Sequence, residues 1–220
     1  MKVVLSLGGS ILGDERKIKE YAAVIENLSK EHKLFVVTGG GKLARELIAK
    51  ARALGANETL CDMIGIEVTR INAMLLASAI KTAPKVIPKD FGEVESLSKN
   101  YNVVVMGGTF PGHTTDATAA LLAEYVSADL FLNATSVDGV YSADPKVSRD
   151  AVKIEKMTPS KLVEVVAKAE MVAGANVVMD LLAAKIIERS KIKTIVFKGD
   201  PENIAKIMRG EKIGTIIEAP

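Results

Sequence analysis

Three times in this chain a short apolar, β-branched run ends in a cluster of glycines and passes into a helix. That recurrence restricts the fold more than any other feature of the sequence. Lys2–Leu7 leads to Gly8-Gly9-Ser10, residues 34–37 lead to Thr38-Gly39-Gly40-Gly41, and Val103–Met106 leads to Gly107-Gly108. Apolar runs of this length bounded by glycine read as buried strands of a parallel sheet. After the first, Gly13-Asp14 opens a helix with Ile18, Tyr21, Ala22, Ile25 and Leu28 at the three-and-four spacing of an amphipathic face. After the second, a helix over about 42–54 stops at Gly55. After the third, Thr114, Thr115 and Asp116 are helix-start residues for the Ala-rich segment 117–126.

The remaining segments continue the alternation. Residues 60–80 read as one long helix with an apolar side, 85–87 as a brief strand, Phe91–Ser98 as a short helix and 130–133 as a strand. Asp138-Gly139 and Asp144-Pro145 are turn signals, which makes 134–145 an ordered, irregular loop. Thr158-Pro159 starts a helix to about 169, residues 173–175 form a small-residue break, and 179–189 is helical. A strand over 194–197 and a helix capped by Asp200-Pro201 follow, and Thr215–Ile217 is expected to close the sheet. The expected fold class is α/β, with a mainly parallel sheet between helical layers. No linker or repeat divides the 220 residues, so the expectation is a single domain with two functional halves, about 1–126 and about 127–220.

Charge narrows the partners. The formal net charge is only +2, which supplies no electrostatic footprint for nucleic acid or an anionic membrane; an anionic partner has to be met by a local site. Apolar runs are short and broken, far from the ~20 residues of a spanning helix. The single cysteine, Cys61, forms no internal disulfide, and Met-Lys-Val-Val-Leu-Ser-Leu reads as a strand and not a leader, so a reducing cytoplasm is expected.

Glycines at the carboxyl ends of parallel strands converge along one crevice, where ligands of open α/β sheets bind. The loop from Gly107 to Asp116 exceeds the usual ~2–6 residues of a βα connection and is dense in glycine and hydroxyls. With unpaired N–H groups and the helix dipole behind it, phosphate is the expected guest. Neither a Walker loop nor G-x-G-x-x-G is present. With His32 and His113 as the only histidines, no His/Cys metal spacing exists. His113 reads equally as a ligand hydrogen bond, a surface residue or a base. Phosphoryl transfer remains, because it asks of a protein mainly alignment, N–H donors, a cation and Mg2+.

The ordered set of motifs, Gly-Gly-Ser, Thr-Gly-Gly-Gly-Lys-Leu-Ala-Arg, Gly-Gly-Thr-Phe-Pro-Gly-His-Thr-Thr-Asp, Val-Asp-Gly-Val-Tyr-Ser-Ala-Asp-Pro and Ala-Ala-Lys-Ile-Ile-Glu-Arg-Ser, resembles the amino acid kinase family. Within it the likeness is to the archaeal branch that phosphorylates UMP, and it covers essentially the whole chain. The resemblance implies a three-layer αβα sandwich, a homohexamer, and transfer of the ATP γ-phosphate to UMP with Mg2+ in pyrimidine nucleotide synthesis. Carried over by position, it implies Gly8, Gly9, Ser10, Gly41, Arg45, Thr135, Tyr141 and Asp144 on the ATP side. On the UMP side it implies Gly40, Asp62, Phe110, Pro111, Gly112, His113, Thr114, Thr115 and Asp116. No metal ligand from the protein is implied. Arg45 is a permanently charged fork that matches phosphate oxygens. Asp62 suits paired ribose hydroxyls but reads equally as a solvated helix-start residue. Asp116 organises the site's cations in the family, although a helix cap would look the same, and Tyr141 fits either an adenine face or a tyrosine beside an Asp-Pro turn.

Two positions depart from the family. Ser6 stands where many relatives carry a lysine at the end of the first strand, which leaves Lys42 and Lys185 as candidate catalytic cations beside Arg45 and Asp116. Thr135-Ser136-Val137-Asp138 replaces a Thr-Asn-Val-Asp pattern. Another small-metabolite kinase of the same fold is the enzyme alternative, and a catalytically silent nucleotide-binding storage or regulatory protein, favoured by Ser6, is the alternative of another class.

Overall fold

The computed structural model describes residues 1–10, 12–143, 148, 150–170 and 178–220. In chain order the first half carries β1 (Lys2–Leu7), α1 (Glu15–Leu28), β2 (Lys33–Thr38), α2 (Gly41–Ala53), α3 (Glu58–Ala79), α4 (Phe91–Ser98), β3 (Val103–Met106) and α5 (Thr115–Tyr125). The second half carries β4 (Leu130–Thr135), β5 (Val140–Tyr141), β6 (Lys153–Ile154), β7 (Lys156–Met157), α6 (Pro159–Glu170), α7 (Leu181–Ser190), β8 (Thr194–Lys198), α8 (Pro201–Met208) and β9 (Thr215–Ile217).

Seven of these strands form one sheet in the order β3-β2-β1-β4-β8-β9-β7, and β5 and β6 pair separately. The first five run parallel, and β9 enters antiparallel to β8. Strand alternation sends Val3, Leu5 and Leu7 of β1 to one face, where they meet Tyr21 and Ile25 of α1, Leu76 of α3 and Ile204 of α8. Val4 of β1, Phe35 of β2 and Phe131 of β4 face the other way, onto the alanines of α5, Leu162 of α6 and Ile186 of α7. Burial on both faces explains why the strands are near-continuously apolar. The result is the three-layer αβα sandwich. The alanines of α5 have a further effect: small side chains at Ala117, Ala119, Ala120 and Ala123 let that helix lie close over the central strands.

Side-chain caps fix most helix starts where the sequence placed them: Asp14 accepts from Lys17 N–H, Asp90 from Glu93 N–H and Thr114 from Ala117 N–H. Five expectations are corrected. Helix α3 begins at Glu58, earlier than expected, because Asn57 accepts from Leu60 N–H. Residues 85–87 form no strand; the Lys85 amine instead donates to the carbonyls of Ala77 and Ile80, closing the C-terminus of α3, and Val86 is exposed. The region expected as irregular loop contains β5, paired antiparallel with β6, and β7, not β9, forms the sheet edge. Helix α7 starts two residues late, at Leu181, because Asp180 caps it by accepting from Ala183 N–H. The break expected at 173–175 and the turn at Asp144-Pro145 lie outside the described residues.

Candidate phosphoryl-transfer site

The carboxyl ends of β1, β2, β3 and β4 open toward one end of the sheet, and the glycine loops meet there. The first two loops are pressed main chain on main chain. A Cβ on Gly9 would lie 2.5 Å from Gly39 O, and one on Gly41, whose φ is +63°, would lie 2.5 Å from Gly9 O. Only glycine fits that approach, and Gly41 also occupies a backbone region that side chains disfavour. Gly39 N–H donates to Leu7 O at 2.9 Å, and the Asn72 amide of α3 donates to Gly39 O at 2.7 Å, locking the second loop from both sides. The third loop is held by α3 through Thr69, whose Oγ1 accepts from Gly108 N–H at 2.6 Å. Thr38 Oγ1 donates to Thr69 O at 2.9 Å, so Thr69 ties the second and third loops to the same helical turn.

Three helix N-termini border this crevice. Helix α2 has Gly40 at its N-cap and no side-chain cap, so its first-turn N–H groups are left for an outside acceptor. Helices α5 and α7 pack side by side, and their caps are joined: Thr114 Oγ1 donates to Asp180 Oδ2. Under these two starts lies Asp116, in the first turn of α5. Ser6 Oγ, fully buried on β1, donates to Asp116 Oδ1 at 2.9 Å, and the equally buried Asn133 of β4 stands next to Ser6 in register. Burial pushes the Asp116 carboxyl up to about 6; the bond from Ser6 opposes that rise, the Asp180 carboxylate adds to it, and Asn133 opposes it.

The residues expected on the acceptor side are brought together. Asp62 Oδ2, on α3, accepts from Gly112 N–H at 2.8 Å, which pins the 110–116 loop to that helix. Gly112 has a φ of +84°, and the turn it makes brings His113 N–H onto Phe110 O at 3.2 Å. The rings of Phe110 and His113 approach to 6.2 Å, Phe110 is exposed, and His113 Nδ1 is buried without a partner. Pro111 is half-buried in the same turn. Thr115 Oγ1 faces the second glycine loop, 3.1 Å from where a Gly39 Cβ would stand.

Of the residues expected on the donor side, half-buried Gly8 and Gly9 and exposed Ser10 follow β1 directly. Thr135 ends β4, and its carbonyl accepts from Gly199 N–H at 2.8 Å. Tyr141 Oη donates to Asp138 Oδ1 at 2.7 Å, a bond that holds its hydroxyl above the usual range, while Lys153 Nζ reaches Asp138 Oδ2 at 3.2 Å. Asp144 lies outside the described residues.

The cations differ. Arg45 is exposed one turn into α2 and makes no ion pair among the described residues. Lys42 lies 3.7 Å from Glu46. Lys185 is exposed on α7 and held by Glu188 at 2.9 Å, one turn along its own helix. Among the described residues no group of three or more His, Cys, Asp or Glu side chains assembles.

Sequence reasoning missed Asn133, Asp180, Thr69 and Asn72. Asn133 had a signal, a lone amide in an apolar strand, and Asp180 had another, an N-cap aspartate before an apolar-periodic run. Thr69 and Asn72 sit inside a helix where nothing local marks them.

Comparison with known proteins agrees with this geometry. Residues 1–198 match the model of the amino acid kinase family. Over 218 residues the chain is 65% identical to the uridylate kinase of Archaeoglobus fulgidus, covering 99% of this chain and 100% of that one. The crystal structure of uridylate kinase from Archaeoglobus fulgidus matches with a TM-score of 0.93 at 64% identity, over 99% of this chain and 100% of that chain. The crystal structure of UMP kinase from Ureaplasma parvum matches at 0.83 and 25% identity, over 100% and 99%. Because the family model runs unbroken from β1 through β8, across every strand that borders the crevice, the chain belongs to the amino acid kinase family.

Proposed function

We propose that the chain transfers the γ-phosphoryl group of ATP to UMP, giving UDP and ADP. The observation that carries this reading is the Asp62–Gly112 bond, which couples an acceptor-only carboxylate on α3 to the turn that presents Phe110 and His113.

 That turn and Asp62 together form one wall of the crevice. An acceptor-only group suits the paired hydroxyls of a ribose, and the Phe110 and His113 rings offer flat faces to a base.

On this reading UMP lies along Asp62 and the 110–116 loop, with Gly40 at its phosphate, and ATP lies along Gly8, Gly9, Ser10, Gly41, Thr135, Tyr141 and Asp144. The halves of about 1–126 and about 127–220 then serve acceptor and donor, meeting near Asp116. A phosphate oxygen of UMP attacks the γ-phosphorus, a new P–O bond forms, and the bond to the ADP oxygen breaks. The N–H groups at the uncapped start of α2 bind phosphate oxygens, and Arg45 bridges them with its fork. Bound with the nucleotide phosphates, Mg2+ would supply further positive charge for the transferring group. Asp116 orients the groups at the reacting centre, and Lys42 is better placed than Lys185 to add positive potential, because it starts α2 while Lys185 is turned to Glu188.

The same reading gives the chain a place in the cytoplasm and in pyrimidine nucleotide synthesis; among the described residues no helix is long and apolar enough to cross a membrane. It also includes a homohexamer. Support comes from α3, which exposes Leu60, Met63, Ile71, Met74 and Leu75, each about half accessible, on one helix.

The test is binding to the full chain by calorimetry. UMP is expected to bind about tenfold tighter than dUMP, and Asp62→Asn to weaken UMP with little change for ATP. Equal affinities for UMP and dUMP, or an effect of Asp62→Asn confined to ATP, would refute the assignment of Asp62 to the ribose.

A further inference from the structure

Two fully buried polar side chains interrupt an otherwise apolar row of the sheet. In register, Met106, Val37, Ser6, Asn133 and Val196 stand side by side across β3, β2, β1, β4 and β8. Ser6 and Asn133 are both 0% exposed, and polar groups this deep are costly unless hydrogen-bonded. Their common partner is Asp116. Ser6 Oγ donates to its Oδ1 at 2.9 Å, and Asn133, next to Ser6 in register, helps hold the same carboxyl down while its Nδ2 reaches Val178 O at a long 3.4 Å. Asn133 Oδ1 has no partner.

Asp116 is met by neutral groups where a buried carboxylate ordinarily has a cation. From β1 it faces Ser6, from β4 Asn133, and from α7 the like-charged Asp180; among the described residues no lysine, arginine or histidine forms an ion pair with it. Hydrogen bonds to the ionised form stabilise it, as a counter-charge would.

We propose that Ser6 and Asn133 are the positioning residues for Asp116: two neutral donors, one on each central strand, keep its carboxylate ionised and fixed under the helix starts, so that they set the pH at which the site becomes competent. The inference rests on the phosphoryl-transfer reading for its kinetic half only. Burial has already raised the carboxyl to about 6, so either bond controls ionisation within the working range of pH. Each donor to an ionised group is worth about 1 pH unit in the titration of that group.

The experiment compares the unmodified chain with Ser6→Ala, Asn133→Ala and Ser6→Thr. Two quantities are read: the titration of the Asp116 carboxyl by carbon-13 NMR without substrates, and the acid limb of kcat with ATP, Mg2+ and UMP. Removing either donor should move both upward together by about 1 pH unit, whereas Ser6→Thr, which keeps the hydroxyl, should leave both in place. Ser6→Cys, close in volume and a weak donor, reports the same sign of shift if an alanine variant does not fold. An Asp116 carboxyl that titrates at an unchanged pH in the donor-deleted variants overturns the inference. A carboxyl that shifts while the acid limb stays put overturns its kinetic half. If the unmodified chain makes no UDP, the phosphoryl-transfer reading fails separately, and the NMR titration still decides whether Ser6 and Asn133 hold Asp116.

Discussion

Replacing Asp116 by asparagine should make the protein more stable and much less active. The ordinary carboxyl value of 3.8 is raised by burial to about 6. At about 1.4 kcal/mol per pH unit, keeping that group ionised in the folded chain costs on the order of 3 kcal/mol at neutral pH. The sign follows from the direction of the shift. The protonated folded state is favoured, so the contribution is fully present below 3.8, declines as the pH rises, and is lost above about 6. Asparagine is neutral throughout, fills nearly the same space, and its Oδ1 still accepts from Ser6 Oγ. Asp116→Asn should therefore exceed the unmodified chain by up to about 3 kcal/mol at pH 7.5, with the difference shrinking toward zero near pH 4. Guanidinium unfolding at both pH values, at one fixed protein concentration because the chain is proposed to self-associate, reads this directly. Turnover should fall over the same substitution, the trade expected where a site keeps a charge that folding disfavours. An unmodified chain as stable as the variant at pH 7.5, or a difference independent of pH, would refute the reasoning.

Arg45→Ala should raise both Michaelis constants and lower kcat, by about 10²-fold in kcat/KM, because a fork at the start of α2 that makes no ion pair among the described residues is proposed to hold phosphate in ground and transition states alike. Lys42→Ala should lower kcat with nearly unchanged binding, and Lys185→Ala should do less, since Lys185 is committed to Glu188; the reverse order in steady-state kinetics would exchange their roles. Met74→Asp with Leu75→Asp should reduce the assembly to smaller species by light scattering at micromolar concentration, and an unmodified chain that is already a monomer would contradict the proposed interface on α3.

The parts of this architecture that depend on neighbouring residues were legible in the sequence, and the parts that depend on distant pairing were not. Strand runs beside glycine clusters located β1, β2 and β3, and capping residues such as Asp14 and Thr114 located helix starts, because both signals act within a few residues. The short strands β5, β6 and β7 have only two residues each, too few for a period to show, and exist because partners far along the chain accept them. The 85–87 segment carried β-branched residues without a neighbouring strand to pair with, and its lysine serves α3 instead. At the site, the glycine loops and Asp62 were read from motif and resemblance. The Ser6–Asp116 bond was not, since 110 residues separate the two and Ser6 registered only as a missing amine.

The most direct measurement of the central claim is turnover by the purified full chain with ATP and Mg2+ against UMP, CMP, dUMP and AMP, following ADP and the new diphosphate by phosphorus-31 NMR. UDP should form fastest, dUMP should be a poorer acceptor because Asp62 loses one ribose hydroxyl as a donor, and AMP should be the weakest. Binding of ATP and UMP without any ADP or UDP would contradict the account and leave a nucleotide-binding storage or regulatory protein in place of a kinase.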